Sequence, residues 1–388
     1  MDWEKSRMSF LRPFVLGFQG IDWMLLGAVI PLLFAGLITM NSFEGANLFF
    51  ERQLLWITLS LVAFFVLSTI DFRFLRRTGV IVSLFIFGVL ILGATHVVGS
   101  TFKGASRWID FGFFSFQPSD LVKIILVLIL AKYFSRRHIA IANIRHIFIS
   151  GFYAFTFFVL IFFQPDLGSA IIIFIIWLGM VLVAGISKKH LAFIFFMALF
   201  SVLGLWQYVF EPYQKARIVT FLHPLADIQG AGYNAYQSTI AVGSGQFLGK
   251  GIGYGTQSKL QFLPEYETDF IFASFAEEWG FIGAIILFGL FGVVFWRLID
   301  AALHGETNFE TLYATGLAIW FMCHFTVHVG MNIGLLPVTG TTLPFMSYGG
   351  SHLLTEFIAL GILMGMRRYQ RTVDRLSLTR EVESVTHL

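Results

Sequence analysis

Seven ionisable side chains sit in or at the mouth of strongly apolar stretches of this sequence: Asp120, Lys123, Asp166, Asp269, Glu277, Glu278 and Glu356. A charge buried in a bilayer costs about 2.5–3.5 kcal/mol on insertion scales, so such groups mark function by default. Gln117, Asp120 and Lys123 are spaced by three and share one helical face. A cation held there by neighbouring polar groups suits a phosphate; the plainer alternative is a lysine that snorkels to the surface and pairs with Asp120. Arg107-Trp108 offers a guanidinium beside an aromatic ring, fit for a polar headgroup or for simple interfacial anchoring. Glu265, Glu267, Asp269 and Glu277, with Glu278 following, must repel one another unless protonated or paired. Asp269 lies nearest the membrane surface, where partial desolvation strengthens it as a proton acceptor. An aspartate at a helix start also caps free amides, so that reading stays open.

Two further patterns carry less. His324 and His328 share a face at i and i+4, but no third ligand is evident, and packed intramembrane histidines explain the spacing as well. Gly243-Ser244-Gly245-Gln246-Phe247-Leu248-Gly249-Lys250-Gly251 has the look of a nucleotide loop. It fails as one, because Gly251 follows the lysine where Ser or Thr is required.

The elements that must position these groups follow from composition. Of 388 residues, 57% are hydrophobic, 17% aromatic and only 13% charged, against about 25% charged in an ordinary soluble domain. A water-soluble globule and a disordered chain are both excluded. A net charge of +3 gives no basis for nucleic-acid binding, and the one cysteine, Cys323, cannot form an internal disulfide. Ten apolar runs approach the about 20 residues a helix needs to cross a bilayer. They lie near 22–41, 53–70, 78–95, 117–135, 147–163, 167–186, 191–210, 270–296, 311–335 and 349–366. The expected fold is an all-α polytopic membrane protein with one integral membrane domain. Residues 1–21 form a cytoplasmic N-terminal segment, 22–366 the ten-helix core, 367–388 a cytoplasmic tail, and 211–268 the large outside loop. A short interfacial helix is expected in that loop around 234–248.

Of the 26 lysines and arginines, seven fall on the outside segments: Arg52, Lys103, Arg107, Lys215, Arg217, Lys250 and Lys259. Lys123 lies within a span, which leaves 18 inside. That excess places both termini in the cytoplasm by the positive-inside rule. The ionisable groups in the spans then belong to the outer half of the membrane, so the chemistry faces outward.

Several segments together resemble one family. They include Gly104-x-x-Arg107-Trp108, Gln117-Pro118-Ser119-Asp120-x-x-Lys123, Gln164-Pro165-Asp166-Leu167-Gly168 and Leu263-Pro264-Glu265-x-x-Thr268-Asp269-Phe270. Later come Asn332-Ile333-Gly334-Leu335-Leu336-Pro337 and Leu343-Pro344-Phe345-Met346-Ser347-Tyr348-Gly349-Gly350-Ser351. These are similar to the signatures of the SEDS family (shape, elongation, division, sporulation). Gly255-Thr256-Gln257-Ser258 followed closely by Leu263-Pro264-Glu265 resembles its rod-shape branch more than its division branch.

The resemblance implies a peptidoglycan glycosyltransferase that polymerises lipid II into glycan strands at the outer face of a bacterial plasma membrane during elongation. It makes Asp269 the essential aspartate, Trp108 the loop tryptophan, and Gln117, Asp120 and Lys123 the polar set of the fourth span. The family usually has glutamate where Asp120 stands, and histidine where Glu267 stands. It also implies a partner, a class B penicillin-binding protein acting as transpeptidase. The expected site is therefore Asp269 as catalytic base, with Arg107, Trp108, Gln117, Asp120, Lys123, Asp166, Lys215 and Arg217 binding substrate. No metal ligand set is expected, although a divalent cation such as Mg could join the cations at the diphosphate. The rival readings are a flippase for lipid-linked precursors, which needs a polar path across the membrane, and a noncatalytic scaffold for cell-wall synthases.

Overall fold

Each of the ten apolar runs forms a helix. The computed structural model describes residues 20–386 except 43–46, 99, 103–104, 111, 113–114, 137–143, 224–226, 228–229 and 231. Side chains 47–48, 97–98, 100–102, 105–107 and 369–386 are likewise outside the description. The first seven runs are α1 (Trp23–Asn41), α2 (Asn47–Ser68), α3 (Thr78–Val98), α4 (Pro118–Ser135), α5 (Ile144–Phe162), α6 (Leu167–Ala184) and α7 (Lys188–Tyr208). Three short helices follow in the long loop: α8 (Pro212–Leu222), α9 (Tyr233–Ser244) and α10 (Thr256–Lys259). The last three runs are α11 (Ile271–Leu303), α12 (Asn308–Asn332) and α13 (Gly350–Thr386).

Among the described residues, α1, α2, α3, α5, α6, α7, α11 and α12 are long and apolar enough to cross a membrane. The other two runs fall short on composition. Asp120, Lys123 and Lys132 all lie in α4, and His352 and Glu356 lie in the apolar part of α13. Burial compensates in α4, where 14 of 18 residues are enclosed by packing against α3, α6 and α12. The helix starts cleanly because Pro118 occupies its first turn, where the missing N–H costs nothing.

One element departs from an all-helical expectation. Between α3 and α4 the chain forms a three-stranded antiparallel sheet of β1 (Ser100–Phe102), β2 (Ala105–Asp110) and β3 (Ser115–Phe116). The interfacial helix expected around 234–248 is α9, which stops at Ser244 because the chain beyond it is diverted into α11. There Gly280 breaks the helix at φ 65° and ψ −164°, exposing backbone groups that membrane burial requires to be paired. The glycine-rich loop pairs them. Phe281 N donates to Gln246 O at 2.8 Å, Lys250 N to Glu277 O at 3.0 Å and Gly251 N to Glu278 O at 3.0 Å. A Cβ on Gly280 would strike the Gly249 nitrogen, and one on Gly249 would strike the Glu278 carbonyl.

The two glutamates below Asp269 are paired by the same loop. Glu277 Oε1 accepts from Lys250 Nζ at 2.7 Å and Thr256 N at 2.9 Å, and Glu278 accepts from Gly253 N at 3.0 Å and Ser42 Oγ at 3.2 Å. At the other end of the bundle, Asp22 Oδ2 accepts from Arg297 at 2.6 Å and Arg367 at 3.2 Å. That clasp brings the start of α1 and the end of the apolar part of α13 to the same end.

Only one residue of α7, Ile194, is buried. Ring contacts attach the ends of this run to α5: Phe148 meets Phe193 with centroids 6.2 Å apart, and Phe162 meets Phe210 at 6.3 Å. Between those attachments the helices part around a cavity.

Candidate active site

The site begins with Asp269, one residue before the last non-helical position ahead of α11. Its backbone is fixed from three sides. Asn332, at the end of α12, donates from Nδ2 to Asp269 O at 3.0 Å and accepts from Ala273 N at 3.1 Å through Oδ1. Ser347 Oγ donates to Thr268 O at 2.8 Å, and Tyr348 N donates to Glu267 O at 2.9 Å. Gly340, at φ 73°, lets the chain pass the carboxylate, since a Cβ there would stand 3.3 Å from Asp269 Oδ2. The aspartate is therefore anchored through its backbone on the wall of the cavity, which has a volume of about 2680 Å³. Just outside the membrane-spanning helix, burial and the neighbouring Glu267 push the Tyr266 phenol above its ordinary range.

Segment 338–342 runs from Asp269 to the other polar groups. Arg217 Nη1 donates to Val338 O at 3.4 Å, and its guanidinium lies 5.8 Å from the Tyr213 ring centre. At the far end, Thr342 O lies 3.1 Å from His324 Nδ1 and Thr341 O 2.7 Å from His328 Nδ1. The His324 ring lies 5.0 Å from His352, and His352 leads to α4. There Lys123 Nζ donates to Asp120 Oδ1 at 2.8 Å, with both side chains almost fully buried. Among the described residues Asp120 is the one hydrogen-bond and ion-pair partner of the ammonium, and Lys123 lines the cavity.

The expected substrate-binding residues separate into groups. Trp108, Gln117, Asp120, Lys123, Arg217 and Asp269 all line the cavity. Asp166 is buried and caps α6, accepting from Ser169 N at 3.1 Å and from Gln117 Nε2 at 3.2 Å. It meets Gln117, which lines the cavity, and does not itself line it. Lys215 Nζ lies 6.0 Å from the Trp206 ring centre and is absent from the cavity wall. The backbone of Arg107 is on β2, but its side chain falls outside the described residues. Asn332, Ser347 and His352 were not among the expected site residues. The first two stand in motifs near the C-terminus, but their hydrogen bonds reach 63 and 79 residues back along the chain. Spacing within a motif could not reveal them.

Among the described residues, no three His, Cys, Asp or Glu side chains converge to hold a metal ion. Asp120 is committed to Lys123, and the two histidines of α12 point their Nδ1 atoms at separate carbonyls. No step is assigned to a metal ion.

The rest of the cavity is apolar. Phe152, Phe155 and Phe158 of α5, Phe174 and Trp177 of α6, and Met197 of α7 line it. Fold and site together define a polytopic membrane protein in which an acid and an ammonium open onto an apolar chamber suited to an amphiphile.

The chain belongs to the FtsW/RodA/SpoVE family of cell cycle proteins, whose model matches residues 15–372. It is 35% identical over 360 residues to stage V sporulation protein E of Bacillus subtilis, covering 90% of this chain and 98% of that protein. It is 34% identical over 356 residues to peptidoglycan glycosyltransferase MrdB of Escherichia coli, covering 92% and 95%. Among solved structures, it resembles a chain of a peptidoglycan synthase complex that coordinates polymerization and crosslinking. That match has a TM-score of 0.77 and 30% identity over 90% of this chain and 98% of the other. The rod shape determining protein RodA of Thermus thermophilus matches with a TM-score of 0.68 and 28% identity over 90% and 98%.

Proposed function

We propose that this peptidoglycan glycosyltransferase polymerises lipid II at the outer face of the bacterial plasma membrane during cell elongation, with Asp269 as general base. The observation that carries the reading is the shared cavity. Asp269, Lys123, Arg217 and Trp108 line the same space as a long apolar chamber between α5, α6 and α7. A lipid-linked sugar diphosphate has the matching division into a charged head and an apolar tail.

Asp269 takes the proton from the 4-hydroxyl of the acceptor N-acetylglucosamine as its oxygen attacks the donor carbon. The new glycosidic bond forms while the bond from that carbon to the diphosphate breaks, inverting configuration. The electron pair leaves with the polyprenyl diphosphate. Lys123, which is buried, and Arg217, which is exposed, stabilise the charge that develops there. No nucleotide is consumed, because the donor is already activated. Asn332 and Ser347 hold the base in place, which keeps the reacting atoms aligned. Substitution of Asp269 by Asn removes the base and should lower polymerisation of purified lipid II by about 10²–10⁴-fold, read as glycan chains on gels. A purified, folded variant that polymerises at the wild-type rate would remove the assigned role.

The flippase reading requires a polar track toward the opposite end of the bundle. The cavity wall there is made by Ile147, Phe148, Phe193 and Ile194, which favours a lipid tail over a travelling headgroup. A class B penicillin-binding protein is the proposed partner, supported by the likeness to a chain of a peptidoglycan synthase complex that coordinates polymerization and crosslinking.

A further inference from the structure

The apolar part of α13 carries two buried ionisable groups that the reaction above leaves unused, His352 and Glu356, at 5% and 0% exposure. His352 Nε2 lies 2.8 Å from Glu356 Oε1, and His352 Nδ1 lies 3.6 Å from Asp120 Oδ1. Both ring nitrogens therefore face carboxylate oxygens. A neutral imidazole has one donor and one lone-pair nitrogen, so it suits both neighbours only if one of them is protonated; with both carboxylates ionised, the doubly protonated ring presents a donor to each. Asp120 is in turn bound to Lys123, and Glu356 Oε2 accepts from Phe345 N at 2.9 Å.

We propose that His352 is a positioning residue that sits between Asp120 and Glu356 as an imidazolium and keeps the buried cluster around Lys123 electrically neutral. Two carboxylates then face two cations. With His352 neutral or absent, the same site carries an excess negative charge in a poorly screened interior, directly beside the ammonium. That excess opposes the approach of a diphosphate. It also draws Lys123 more tightly onto the carboxylates. The pairing has a mechanical side as well: Ser351 Oγ accepts from Gln117 N at 3.0 Å, so the same turn of α13 that bears His352 also seats the start of α4.

The inference rests on the reading that Lys123 meets the diphosphate of the donor, and the experiment separates the two. The full-length chain is purified in lipid nanodiscs as wild type, His352→Gln, Glu356→Gln and His352→Gln/Glu356→Gln. Initial polymerisation rates are measured against lipid II concentration, and melting temperature is recorded for each. His352→Gln alone should raise the half-saturating concentration by about tenfold or more and lower the melting temperature. The double variant removes one cation and one anion together and should recover most of both losses, an interaction between contacting sites of about tenfold. Simple loss of packing predicts instead that the two substitutions add. A double variant as impaired as His352→Gln overturns the proposal, as does a His352→Gln variant with unchanged half-saturation. Absence of polymer from the wild-type protein would sink the polymerase reading, and the melting series would still decide the charge pairing. A double variant no more stable than His352→Gln then refutes it.

Discussion

At the scale of single residues, Lys123 has two roles that can be pulled apart. It neutralises a buried carboxylate, and it presents a cation to the cavity. Replacing it with Met leaves Asp120 buried without its partner, which should cost about 3–5 kcal/mol of stability, as is usual when one member of a buried pair is removed. Replacing both partners, Lys123→Met with Asp120→Leu, should restore most of the stability without restoring polymerisation. Thermal unfolding and gel assays on the same preparations read the two outcomes. Full activity in the double variant would contradict a role for the ammonium at the diphosphate. The pairing of Asp120 with Lys123 was legible in the sequence because it is local, three residues apart on one helix. His352 was not, since it reaches Asp120 from 232 residues away through the packing of α13 on α4. The same reason hid Asn332: its amide serves the backbone carbonyl of Asp269, just ahead of another helix, and nothing in its own neighbours in the chain announces that.

At the scale of elements, the most informative case is the glycine-rich stretch 243–251. The sequence excluded a nucleotide loop there but left its purpose open. The answer lies in α11, whose apolar run reads as one continuous span and hides the break at Gly280. Only when the helix opens do the loop amides and carbonyls have partners, and only glycine tolerates that approach at Gly249 and Gly280. Gly280→Ala should therefore strain the backbone by about 1–3 kcal/mol and displace the inserted loop. Limited proteolysis across 245–257 should cleave this variant faster than the wild-type protein. Equal cleavage would mean that the loop is held by Glu277 and Glu278 without help from the break. The ten apolar runs, by contrast, were readable because hydrophobicity is set residue by residue. Their starts shifted by one residue at the Asp22 cap and by three at the Ser187 cap.

At the scale of the whole molecule, polar and apolar functions occupy opposite parts of one cavity. The acid, the ammonium and the Arg217 guanidinium gather around segment 338–342, while phenylalanines of α5 and α6 line the remainder. Binding of a lipid-linked donor should thus depend on its tail as well as its head. Burying a methylene contributes about 0.8 kcal/mol, so donors with shortened isoprenoid chains should saturate at markedly higher concentration while turnover at saturation changes little. Titration of polymerisation with a series of tail lengths measures this, and tail-independent saturation would show that the chamber has another occupant.

The sparse attachment of α7 carries a broader consequence. Since this run touches α5 through aromatic rings at its two ends, much of its outer surface meets acyl chains instead of protein. The bilayer thus closes the side of the chamber that α7 leaves thinly walled by protein.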